Sequence, residues 1–288
     1  MLFHITKKLR ISYSAPVQNC VRRLRVLPPD ALQESWNAYP EPDECREFSD
    51  EFGNRVLELR HAKIESALLF ELACRAEPPT PLVRGLNSNA SELILSNPCS
   101  TNSEHSPLTK GVGGSTSGLP PTGMGAFLLP SALCDLGEAI RQNASSFGAE
   151  STQTVTQICQ WTHQALLYDA SVSSVETTAS QSLLRGGGVC QDYAHLMIAL
   201  CRANALPARY VSGYLIGEGR MHAWVEVLIK NQWRAFDPTH NREVGNECLP
   251  VAIGRDFRDC NPHQGTFRGH AKAKLESGCY VRHTTTSS

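Results

Sequence analysis

Cys190, His222 and Asp237 stand in the chain order of a thiol nucleophile, its base and the group that orients the base. Gly186-Gly187-Gly188-Val189 leads into Cys190, which begins an apolar run of helical pattern. Met221-His222-Ala223-Trp224-Val225-Glu226-Val227 and Trp233-Arg234-Ala235-Phe236-Asp237-Pro238-Thr239 alternate as strands do. A free thiol has a pKa of about 8.5, so a nucleophilic one needs its thiolate stabilised, which a helix N-terminus and a nearby imidazolium both do. The three glycines permit backbone angles that side chains forbid and let a substrate approach the main chain. The backbone N–H of Cys190 at such a helix start is a natural donor to an oxyanion. A lone cysteine is more often a packed core residue. Here the hairpin argues otherwise: with Lys230-Asn231 as the turn, Asp237 falls opposite Trp224 and diagonal to His222 on one face of the sheet. An Asp that accepts from one imidazole nitrogen leaves the other facing the thiol. That is the arrangement of a cysteine acyl-transfer enzyme working through a thioester.

The elements that must position these residues can be traced along the chain. Cys190 to Asn204 is hydrophobic nearly all round, as a buried central helix would be, and Leu206-Pro207 stops it. Strands are expected over Ala208 to Ile216, His222 to Ile229 and Gln232 to Asp237. Upstream, Leu136, Ala139 and Ile140, then Val155, Ile158, Cys159, Thr162 and Leu166, recur at helical spacing, so two helices precede the nucleophile. The first part of the chain has the alternation of short strands: Phe3 to Tyr13, Val21 to Leu27, and a pair, Arg46 to Phe52 and Arg55 to Leu59, around a Gly53-Asn54 turn, with Leu68 to Cys74 as a further strand. Arg22, Arg23 and Arg25 fit the solvated face of such a strand. Between these halves the composition shifts to Pro, Gly, Ser, Thr and Asn, too polar to offset its chain entropy by burial. The resulting division is an N-terminal β domain over 1–80, a low-complexity linker or insertion over 81–128, and a catalytic domain with C-terminal strands over 129–288.

Composition bounds the partners. Among 288 residues, 41% are hydrophobic and 19% charged, an ordinary globular balance. Lys and Arg total 27 against 28 Asp and Glu, so no electrostatic footprint for nucleic acid or an anionic membrane is visible. No run approaches the roughly 18 apolar residues of a membrane span. Eleven cysteines form no Cys-x-x-Cys pair, and the first residues lack a signal-peptide pattern, which leads to the expectation of reduced thiols in a cytoplasmic protein. No His-Glu-x-x-His occurs, and the pairs Cys159 with His163 and Cys260 with His263 fit packing better than a metal. No acidic loop has calcium-ligand spacing. His195 is expected to satisfy a buried backbone group, and His240, just after the Asp-Pro-Thr turn, to lie on a loop surface, with a place lining the cleft as the other reading. No metal or cofactor is expected, and the expected partner is a protein or peptide substrate.

Four segments together resemble the bacterial transglutaminase-like family, whose members are often described as cysteine proteases. They are Gly188-Val189-Cys190-Gln191-Asp192-Tyr193-Ala194-His195, the run Ala205-Leu206-Pro207-Ala208-Arg209-Tyr210-Val211-Ser212-Gly213-Tyr214-Leu215, His222 to Val227, and Phe236-Asp237-Pro238-Thr239. The segments Gly254 to Asp259 and Gly265 to Gly269, and the strand-rich start with Tyr13 to Val17 and Glu51 to Asn54, are similar to its flanking regions. The resemblance implies an α+β fold: a papain-like catalytic core with a separate N-terminal antiparallel β domain. It implies Cys190 as nucleophile, His222 as base and Asp237 as orienter, with Tyr168 and Gln191 as auxiliary candidates near the oxyanion. Ala205 departs from the glycine common there, and Ala271 to His283 alternates less clearly than the family's last strands. Water or an amine would resolve the thioester. The other reading is a non-catalytic peptide-binding module on the same fold.

Overall fold

A computed structural model describes residues 2–77, 123–148 and 151–284. Of the low-complexity segment expected over 81–128, residues 81–122 lie outside the described residues. Its end is built into the protein: Met124–Phe127 form a 3₁₀ turn with Ala126 buried, and the Phe127 ring meets Trp233 edge-on at 5.6 Å. Aromatic burial there overrides the surrounding polar composition.

The N-terminal half contains six strands, β1 (Leu2–Tyr13), β2 (Val17–Leu24), β3 (Ala31–Tyr39), β4 (Glu44–Ser49), β5 (Arg55–Ile64) and β6 (Ala67–Ala76). Period-two alternation aims Phe3, Ile5, Leu9 and Ile11 of β1 inward, where they meet Leu24, Leu59 and Phe70 in one core. The Gly53-Asn54 turn forms as expected, with Gly53 at φ +79 and the Asp50 carboxylate accepting from the Phe52 and Asn54 N–H groups. β3 had no signal in the sequence because most of its residues on both faces are exposed, so nothing in it alternates.

The C-terminal half begins with α1 (Glu138–Ala144) and α2 (Thr152–Ala165), followed by a short strand β7 (Leu167–Tyr168). Next come α3 (Ala179–Arg185), the short strand β8 (Gly187–Gly188) and α4 (Cys190–Ala203). A five-stranded antiparallel sheet follows in the order β12-β11-β10-β9-β13, from β9 (Ala208–Leu215), β10 (Met221–Ile229), β11 (Gln232–Asp237), β12 (Arg242–Glu243) and β13 (Cys248–Gly254). Among the described residues three α-helices, not two, therefore precede Cys190. α3 is seven residues long, too short for an apolar period to show, and a Thr178/Gln181 capping box starts it. α4 is buried on every side, against the sheet on one face and α1 to α3 on the others, as its all-round hydrophobicity requires.

The chain then returns to its beginning. A short α5 (Phe257–Cys260) leads to β14 (His263–Arg268) and β15 (Ala273–Thr284). β14 pairs with β2 and β15 with β1, giving two four-stranded sheets, β15-β1-β6-β3 and β14-β2-β5-β4. Strand pairing thus places the last two strands in the N-terminal sandwich and not, as expected, in the catalytic domain. β15 is an edge strand with most residues exposed, which accounts for its weak alternation. The halves share contacts: Tyr214, Leu249 and Val251 enter the sandwich core, and the Asn54 side chain exchanges two hydrogen bonds with the Ile253 backbone, at 2.8 and 2.7 Å.

Two further expectations change. Arg22 and Arg25 are buried, not solvated: Arg22 donates to the Tyr13 hydroxyl at 2.6 Å, and Arg25 pairs with Asp50 at 2.8 Å. Ala205 has φ +58, so the departure from glycine puts a side chain where the left-handed backbone disfavours one.

Candidate active site

The strand–helix junction that presents Cys190 is held by one carboxylate. Asp192, fully buried, accepts from the Val189 N–H at 2.8 Å, from Ser182 Oγ at 3.1 Å and from Ser173 Oγ at 2.5 Å. It sits at the third position of α4, where a negative charge also complements the helix dipole. Gly188 is required here because a Cβ would approach the Asp192 carboxyl to 2.6 Å. Cys190 is the first residue of α4 and partly exposed. The thiols of Cys134 and Cys159 are enclosed, and burial pushes both up to about 12, so neither is a nucleophile at neutral pH.

His222 lies on β10, opposite Gly213 of β9. Gly213 has no room for a side chain, since a Cβ would meet the Leu249 carbonyl and the Trp224 ring. That ring in turn stacks on His222, with centroids 6.4 Å apart. The hairpin register is the expected one: Val225 pairs with Phe236 and Ile229 with Gln232, about the left-handed Lys230 and Asn231. His222 Nε2 donates to Asp237 Oδ2 at 2.9 Å, and the Cys190 thiol lies near enough to the same imidazole to favour its charged form. Because an ionised carboxylate only accepts, the proton on Nε2 is assigned, which leaves Nδ1 for the thiol. Burial disfavours the imidazolium, but the bond to Asp237 and the neighbouring Cys190 outweigh it and push His222 up to about 10. Asp237 is fully buried; burial works against its charge, yet the bonds from His222 and His240 hold it below the usual carboxylate range.

The two residues expected near the oxyanion, Tyr168 and Gln191, have different surroundings. Tyr168 is 65% exposed on β7, which runs parallel to β8 beside the nucleophile. Its phenol is pushed up by burial and by the neighbouring Cys190. Gln191 points the other way, its amide donating to the Val175 carbonyl at 3.4 Å, a contact that steadies the loop. His195, fully buried, accepts from the Phe257 N–H at 3.2 Å, the backbone role expected of it. His163 reaches the carbonyls of Pro238 and Thr239 at 3.2 and 3.1 Å and so supports the turn that carries Asp237.

His240 lies exposed on the turn after β11, as expected, but its ring is engaged there. It folds back so that Nδ1 donates to Asp237 Oδ2 at 2.7 Å. The spacing of His222, Asp237 and His240 would also suit a metal ion, with donor atoms within 4.8 Å of one another. Two N–H groups converging on one carboxylate oxygen account for that spacing without a metal. Sequence reasoning named His240 but not its bond to Asp237, and it missed Asp192, for which Asp at the third position after a glycine-led helix start was the available signal.

Residues 138–238 match the family model described as Transglutaminase-like superfamily, so this part of the chain is a transglutaminase-like domain. The chain is also similar to a crystal structure described as "a Putative Cysteine Protease from Cytophaga hutchinsonii", with a TM-score of 0.71 and 22% identity. That match covers 100% of this chain and 92% of the other. The fold is therefore transglutaminase-like, with a separate N-terminal antiparallel sheet region. Among curated proteins, the uncharacterized protein ML0607 of Mycobacterium leprae is 33% identical over 137 residues, covering 44% of this chain and 49% of that protein. The uncharacterized protein Rv2569c of Mycobacterium tuberculosis is 39% identical over 114 residues, covering 34% and 36%. The chain spans less than half the length of these two relatives. Among the described residues no helix is long and apolar enough to cross a membrane.

Proposed function

We propose that this protein is a cysteine-dependent acyl-transfer enzyme acting on protein or peptide amide bonds, with Cys190 as nucleophile, His222 as base and Asp237 as orienter. The observation that supports it is a single imidazole bonded to a buried carboxylate and neighboured by a thiol at a helix start. In this reading the Cys190 thiolate adds to the amide carbonyl, forming the C–S bond. The imidazolium of His222 gives its proton to the departing nitrogen as the C–N bond breaks, which leaves a thioester. The developing oxyanion faces the N-terminus of α4, where backbone N–H groups converge. Water or a primary amine then attacks the thioester and passes its proton back to His222. The cysteine-protease description of the Cytophaga protein favours water as the first acceptor to test.

The test is mass spectrometry of the wild type and Cys190→Ala after incubation with a Gln-containing protein and excess primary amine. Amine adducts on Gln in the wild type alone establish transamidation. Peptide cleavage or Gln deamidation in the wild type alone establishes hydrolysis. Identical products from both proteins contradict the reading.

A further inference from the structure

We infer that His240 is a positioning residue for the proposed reaction: by donating to the same Asp237 oxygen that His222 uses, it divides the carboxylate's charge and keeps His222 from holding its proton too tightly. The inference rests on the reading of Cys190, His222 and Asp237 given above.

The four bonds to Asp237 separate two roles. Oδ1 accepts from the backbone N–H of Thr239 at 3.1 Å and of His240 at 3.3 Å, so the turn itself fixes the carboxylate. Oδ2 accepts from His222 Nε2 at 2.9 Å and from His240 Nδ1 at 2.7 Å. The imidazole of His240 is therefore not needed to hold Asp237 in place. What it adds is a second and shorter bond on the oxygen that faces the base. Bonds to an ionised acceptor are strong, and each donor draws on the same charge, so the bond to His240 weakens the pull on His222. The two rings lie 5.2 Å apart between centroids.

The other groups around this oxygen do not duplicate the role. Arg242 Nε is 3.9 Å from Oδ2, beyond a hydrogen bond, and Arg242 is also paired with Glu247 at 3.3 Å. The thiols of Cys159 and Cys248 lie near enough to feel the Asp237 charge, but burial pushes both up to about 12 and keeps them neutral. His163 bonds the carbonyls on the far side of the turn. Turnover asks His222 to carry a proton and then release it to the leaving nitrogen. An undivided carboxylate favours only the first of these steps.

The experiment uses the full chain labelled with ring-¹⁵N histidine and follows the His222 titration by NMR through the alkaline range. In His240→Ala the His222 midpoint should rise by several tenths of a pH unit or more. In His240→Asn, whose amide nitrogen falls where Nδ1 does, it should stay at the wild-type value. An unchanged midpoint in His240→Ala overturns the inference. A lowered one, in the direction of Asp237→Asn, also overturns it, because His240 would then be a tether. Failure of the underlying reading looks different: Asp237→Asn and Cys190→Ala would both leave the His222 midpoint where it is, whatever His240 does.

Discussion

Glu58 and Asp237 are the carboxylates left with no exposure in the sheets of the two halves among the described residues, and they are surrounded differently. Glu58 on β5 of the sandwich is bonded by Arg23 at 2.7 Å and by Arg46 and Arg60 at 2.9 Å. Asp237 on β11 is bonded by two imidazoles. Both carboxylates have no exposed surface; all three guanidiniums on Glu58 are about half exposed, whereas of the two imidazoles on Asp237 His222 is buried and His240 is 41% exposed. Burial opposes ionisation of Glu58, and the three arginines overcome it, holding the carboxyl down at about 2. Guanidinium does not give up its proton in water, so the sandwich cluster is fixed across the working pH range. Imidazole does, so the same kind of buried anion in the other half can relay a proton. The difference lies in the partners of the carboxylate rather than in its burial.

The comparison is broken most severely by removing the carboxylate that serves the proton. Asp237→Asn should lower kcat about 10²–10⁴-fold in the cleavage or amine-incorporation assay, because the imidazole loses its tautomer and its counter-charge. A loss below tenfold would place Asp237 with Glu58, as a structural anion. The same pair leaves a mark on stability. The folded-state pKa of His222, about 10, lies above its ordinary 6.5, so its contribution is fully present below pH 6.5 and is lost as the pH rises through 10. Thermal denaturation should fall on the order of 5 °C across that window in the wild type and be flatter in Asp237→Asn.

Glu58 shows the opposite sign and a smaller size. Its depressed pKa contributes stability above about 4.5, lost as the pH falls through 2. After allowance for half-exposed partners, Glu58→Gln should cost about 1 kcal/mol in urea denaturation at pH 7, shrinking toward pH 2, with activity unchanged. The smallest effect concerns the left-handed residue after α4. Ala205→Gly should stabilise by roughly 0.5–1 kcal/mol, because relief of the φ +58 strain exceeds the added chain entropy. No gain would mean that the strain is absorbed locally.

What could be read in the sequence was what is set locally. The meeting of His222 with Asp237 followed from a strand period of two and a two-residue turn, and the burial of α4 from its composition. The role of His240 was hidden because nothing in Asp237-Pro238-Thr239-His240 announces that the turn curls back to place two N–H groups on one carboxylate oxygen and an imidazole on the other. α3 escaped because seven residues do not establish a helical period. The return of β14 and β15 to the sandwich escaped because pairing with β1 and β2 is a long-range choice: Lys7 meets Ser277 across 270 residues with no local signal. Arg22 and Arg25 were misjudged because alternation names the buried face without saying which charged residues will find a partner inside.

The central claim is that His222 and Cys190 form one proton-sharing unit. The most direct test is the rate of Cys190 alkylation by iodoacetamide between pH 5 and pH 9 in the wild type and in His222→Ala, read by peptide mass spectrometry. Rapid labelling at pH 6, well below the ordinary thiol pKa of about 8.5, that slows at least tenfold in His222→Ala is the predicted result. Labelling that rises only near pH 8.5 and is the same in both proteins would contradict it.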